Sequence, residues 1–93
     1  MTAATYRKKL VEIQAIPVQE AIQLATDYWG ELPTWLNDGY ENGKVVFFND
    51  HIAIKTLEGT MTAQADDMLI RGVQGELYPC KPDIFAATYE AVE

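Results

Sequence analysis

A single cysteine, Cys80, and a single histidine, His51, stand among 93 residues. One thiol forms no internal disulfide, so nothing in the chain requires an oxidising compartment. One imidazole offers no cluster for a zinc ion and no partner for a general base. Long apolar runs are missing too: nothing approaches the roughly 18 residues of a membrane span. The opening MTAATYRKK lacks the apolar core of a secretory signal. The expectation is a protein of the cytoplasm with no membrane partner.

Positive charge is the other scarcity. Seven Lys and Arg stand against fourteen Asp and Glu, a net charge of −7. Duplex-binding domains draw most of their affinity from neutralising phosphates, so direct nucleic-acid binding is disfavoured. The run Tyr6-Arg7-Lys8-Lys9 is the local exception and reads as a solvated arm ahead of the first strand.

What is present fits one small domain, residues 1–93, with 48% hydrophobic residues. That length lies near the lower limit for a self-sufficient core, which makes a homo-oligomer an expectation. Residues 10–16 roughly alternate, with Val11, Ile13 and Ala15 on one side, as a half-buried strand would. Pro17 suits the first turn of a helix. Val18, Ile22, Ala25 and Trp29 then follow at helical spacing, up to a closing turn at Gly30. Residues 33–38 add a further helical turn before Gly39.

From Asn42-Gly43 onward the period is two. Residues 44–48 and 51–57 read as strands joined at Asn49-Asp50, a pair that tolerates the positive φ of a tight hairpin. Glu58-Gly59 leads into 60–63, then come 67–73, a turn at Gln74-Gly75, and 76–78. Pro79 and Pro82 keep the next segment out of a central strand. Asp83 is placed to cap a short helix over 84–87, and 88–92 would pair as a last edge strand. The predicted fold is α+β: an N-terminal strand and one or two helices, followed by a curved antiparallel sheet or small β-barrel.

The stretch KTLEGTMTAQADDMLIRGVQGELYPCKPDIFAATYEAV, residues 55–92, resembles a family of small bacteriophage and prophage proteins. Their pattern is Lys-Thr-Leu-Glu-Gly-Thr-Met, then Pro-Gly-Asp-aromatic, then Ile-Arg-Gly-Val-x-Gly-Glu-x-Tyr-Pro-Cys-Lys-Pro-Asp-Ile-Phe. Tyr6-Arg7-Lys8-Lys9, with Glu12 and Ala15, resembles the family's first strand. The chain departs at Ala65-Asp66-Asp67-Met68, where the family carries Pro-Gly-Asp-aromatic. The resemblance implies a phage accessory protein and no particular reaction.

Catalytic candidates are few. Cys80 sits beside Lys81, whose ammonium favours a thiolate, but it has no His or acid partner in sequence. His51 reads as an ordinary polar residue after a turn. Asp66, Asp67 and Asp83 lack the spacing of a calcium loop and suit turns and caps better. No enzyme activity, metal or cofactor is expected. Binding is favoured instead, through Lys55, Arg71 and Lys81, with Tyr78 or Trp35 as a stacking face, although Trp35 beside Leu32 and Leu36 suits core or lid packing better. Arginine offers a planar fork for phosphate and lysine a compact charge. Gly72 after Arg71 would let a ligand approach the backbone. The alternative is that these cations pair with Glu58, Glu76 and Asp83 on adjacent strands. The function expected is a host-defence antagonist that sequesters a small nucleotide-like signalling molecule. The alternatives are an acidic protein–protein inhibitor imitating nucleic acid, or a structural or replication accessory of the phage.

Overall fold

A computed structural model of the chain describes residues 3–6 and 10–92. The change of period near residue 43 is a change of architecture. Strand β1 (Gln14–Pro17) leads into α1 (Val18–Asp27), a 3-10 turn (Trp29–Glu31) and α2 (Thr34–Glu41). There follow β2 (Val45–Phe47), β3 (His51–Thr56), β4 (Gly59–Gln64), β5 (Met68–Arg71), β6 (Leu77–Cys80) and α3 (Pro82–Thr88). The fold is α+β, as predicted. The strands form two three-stranded antiparallel sheets, β2-β3-β4 and β1-β5-β6, and do not close into a barrel. Among the described residues no helix is long and apolar enough to cross a membrane.

Asp67 divides the meander into two sheets. Its N–H donates to the Gln64 carbonyl at 2.9 Å, and its Oδ2 accepts the Gln64 N–H at 2.9 Å. That closes a tight turn after β4. The carbonyls of the same turn face the start of α1, where Val18 N–H donates to Asp67 O at 3.0 Å and Gln19 N–H to Ala65 O at 3.2 Å. Pro17 caps α1 with no side-chain hydrogen bond, so the turn supplies the acceptors that the first helical N–H groups lack. Chain leaving this turn is therefore directed to β1 and away from β4.

One core lies between the helices and the two sheets, built from Ile16, Val18, Ala21, Leu32, Leu36, Val45, Ile52, Ile54, Ala63 and Leu69. Several local expectations change with it. The first strand begins at Gln14, and Ile16, opposite Leu69, is its buried residue, while Val11 and Ala15 are exposed. Side chains alternate along a strand, so Val18 at the head of α1 and the pairing with β5 select the even positions. The helix ends at Asp27, and Gly30 lies in the 3-10 turn without a positive φ.

Helix α2 runs through Gly39 because a bare Cα is needed there: an added Cβ would meet Leu77 Cδ1 and Val45 Cγ2, each at 3.0 Å. The Asn49-Asp50 turn uses no positive φ. It is closed instead by Phe48 N–H donating to His51 O at 2.9 Å. Gly59 and Gly75 do take positive φ, 119° and 85°, at their turns. Pro79 lies within β6, which is an edge strand and tolerates a missing donor. Lys81 is the N-cap of α3, Pro82 opens the helix, and Asp83 serves from inside the first turn by accepting Ile84 N–H at 2.9 Å. Residues 89–92 form no strand.

Candidate functional site

The predicted binding residues are held apart. Arg71, at the end of β5, donates from Nη1 to Gln14 Oε1 at 2.9 Å, across the Gln14–Arg71 register pair. Lys81 places its ammonium 3.2 Å from Asp67 Oδ1. Asp67 is 3% exposed, and Oδ1 has charge pairing there without hydrogen-bond geometry. Arg71 lies opposite Leu77, and Lys81 is four residues further along, so their backbone positions are about 13 Å apart along the strand direction at roughly 3.3 Å per residue. Lys55 is exposed in the other sheet, opposite Thr60. Among the described residues none of the three cations pairs with Glu58, Glu76 or Asp83.

The aromatic candidates do not join them. Trp35 is half-buried against the core. Tyr78 lies opposite Ile70, with its hydroxyl 3.4 Å from that of Tyr89. Burial, then the Tyr89 hydroxyl, push its pKa up to about 12. The space beside Gly72 is taken by the Glu76 side chain, which meets the position of an added Cβ and accepts Gln74 N–H at 2.9 Å. That glycine makes room for a carboxylate of its own turn. Cys80 Sγ lies 3.6 Å from the Lys81 carbonyl oxygen. His51 Nδ1 is 2.7 Å from Asp50 Oδ1, and among the described residues no group of three or more His, Cys, Asp or Glu converges as metal ligands.

An aromatic hollow lies elsewhere, in the helical half. It encloses about 380 Å³ between α1 (Ile22, Ala25, Thr26), Trp29, Tyr40, and Val46, Phe47, Phe48 and Asn49 at β2. Trp29 stands edge-on to Tyr40 and to Phe47, with ring centroids 4.9 and 5.6 Å away. Its indole N–H donates to Asn37 Oδ1 at 3.1 Å, which fixes the ring from behind. Phe48 stacks on His51 at 4.4 Å. Trp29, Tyr40 and Phe48 nevertheless remain 39%, 46% and 46% exposed.

Among the described residues no charged side chain lines this hollow, but the stretch of sequence that supplies its lining is acidic. Residues 18–50 carry Glu20, Asp27, Glu31, Asp38, Glu41 and Asp50 against Lys44 alone, so this stretch holds −5 of the total −7. All six acids are exposed. Trp29 escaped sequence reasoning because it fell in register with the buried stripe of α1. The helix ends two residues earlier and turns the ring outward. The available signal was the skew of charge in 18–50.

Neither protein-family models, nor curated proteins, nor solved structures give a match to this chain.

Proposed function

We propose that the chain is a non-enzymatic phage accessory protein that docks on a basic surface of a host protein, using the aromatic hollow as its anchor. A host-defence enzyme with a positively charged nucleic-acid cleft is the partner class this chemistry suits. The observation that carries the reading is an uncharged, partly exposed cluster of Trp29, Tyr40 and Phe48 within the third of the chain, residues 18–50, that holds −5. Protein interfaces have this composition: aromatic residues at the centre, charge excluded from it, polar groups around it. The acidic surroundings would speed encounter with a basic partner and make it salt-dependent.

Sequestering a small nucleotide-like molecule has less support. Small-molecule sites bury about 70–90% of the ligand, whereas the walls of this hollow stand open. That reading also called for Lys55, Arg71 and Lys81 to act together, and two of them are engaged by Gln14 and Asp67. The resemblance of residues 55–92 to phage proteins supports a host partner.

The test is capture from a bacterial lysate on immobilised chain, graded in salt. Wild type is expected to retain a discrete basic protein at low salt and release it as salt rises. Trp29→Ala with Phe48→Ala should abolish retention while circular dichroism stays native. Equal retention by the double variant would defeat the proposal.

A further inference from the structure

The two ends of the chain border an open groove of about 1010 Å³, between residues 10–15 and the segment running from Phe85 to Val92. Three of its apolar side chains are exposed, Leu10 at 102%, Val11 at 51% and Val92 at 71%, while Ile13, Phe85 and Tyr89 are half-buried. Helix α3 has no buried residue. The β1 ladder begins at Gln14, and residues 10–13 make no hydrogen bond among the described residues. Beyond its pairing with β5, the other edge of β1 has no partner strand among the described residues.

The whole molecule is open for its size. Its radius of gyration is 15.0 Å, where a compact chain of this length has about 12 Å. It exposes 7147 Å², where a compact chain of its mass exposes about 5,400 Å². The excess is roughly twice the 800 Å² or so that one partner gives to a standard protein interface.

We infer that a second copy of this chain fills the groove, each copy laying its arm, residues 10–13, along the arm and β1 edge of the other. An exposed strand edge is a template for another strand, and proteins that keep such edges single guard them with charge or proline. Along the arm and β1, residues 10–17, the sole charge is Glu12, and the sole proline, Pro17, stands at the far end where the chain enters α1. Two identical arms meeting antiparallel about a twofold axis satisfy each other's backbone and bury Leu10 and Val11 from both sides. Charge agrees with the same occupant. Arg7-Lys8-Lys9 directly precede the arm in sequence, while Glu12 and Glu90 border the groove. The surface is separate from the aromatic hollow, so it stands whether or not that hollow binds a host protein.

Sedimentation of the full chain from about 1 to 300 μM tests this. The expected species is a dimer of twice 10.4 kDa. Leu10→Asp with Val11→Asp is expected to halve that mass, and Leu10 projects wholly into solvent, so the monomer fold should survive. Amide exchange at residues 10–13 should be slow in the wild-type dimer and fast in the variant. A wild-type monomer throughout the range overturns the inference, as does a dimer indifferent to the arm substitutions. A dimer lost instead in Trp29→Ala with Phe48→Ala would place the contact at the aromatic hollow and overturn it too.

Discussion

The stretch from Lys55 to Phe85 and the stretch from Val18 to Asn49 divide the work differently from the way their sequences suggest. The first holds three glycines, two prolines, three cations and the only cysteine, yet its distinctive residues serve the fold. Asp67 closes the turn after β4 and supplies an acceptor to α1, while Lys81 balances its buried carboxylate. Gly72 accommodates Glu76, and Gly75 turns the hairpin. The second stretch has one cation, Lys44, and no cysteine, yet it presents Trp29, Tyr40 and Phe48 to solvent and carries five exposed acids of its own, with Asp50 next in sequence. Backbone geometry demands particular residues at particular positions, and these stand out in a sequence. A docking face needs only composition, so it leaves a weaker mark.

The contrast can be broken most forcefully at Asp67. Asp67→Ala removes the acceptor of Gln64 N–H and strands the turn that caps α1, and should cost about 3 kcal/mol in urea unfolding. A loss below about 1 kcal/mol would mean that the first stretch is not organised around this residue. Lys81→Met comes next. It leaves a buried carboxylate without its counter-charge, but the lysine is itself more than half exposed, so about 1–2 kcal/mol is expected. Lys55→Met, at an exposed position, should stay within about 0.5 kcal/mol. Equal effects at the two lysines would remove the distinction between anchor and surface charge.

Gly39→Ala sharpens the helical side. In an open helix that change gains about 1 kcal/mol; here the new methyl meets Val45 and Leu77, and a net loss of about 1 kcal/mol is expected by thermal melting. A gain would show that α2 sits less tightly on the sheets. The smallest effect concerns Tyr78. Its folded pKa of about 12 exceeds the ordinary 10, so the folded state holds the proton more firmly. Its contribution is therefore complete below pH 10 and declines as pH rises from 10 through 12. Melts across that window should fall less steeply for Tyr78→Phe than for wild type, and parallel curves would contradict the assignment.

Much of the fold was legible. The β2–β3 and β3–β4 hairpins, the β5–β6 turn at Gly75 and the short helix after Pro82 follow from glycine, proline and alternation. Legibility failed where a tertiary partner made the choice. The face of β1 is set by Leu69 of β5, Gly39 stays helical because Val45 and Leu77 crowd it, and the meander splits because Asp67 serves α1. Of the candidate site, the cations were visible as residues, but their partners Gln14 and Asp67 were not. The aromatic hollow joins Ile22, Trp29, Tyr40 and Phe47, which share no local pattern.

The most direct test sets the two stretches against each other in one capture experiment. Host protein retained by wild type is measured on Trp29→Ala with Phe48→Ala, and on Lys55→Ala with Arg71→Ala. Retention should vanish in the first and persist in the second. Loss in the second with retention in the first would return recognition to those cations and contradict the account.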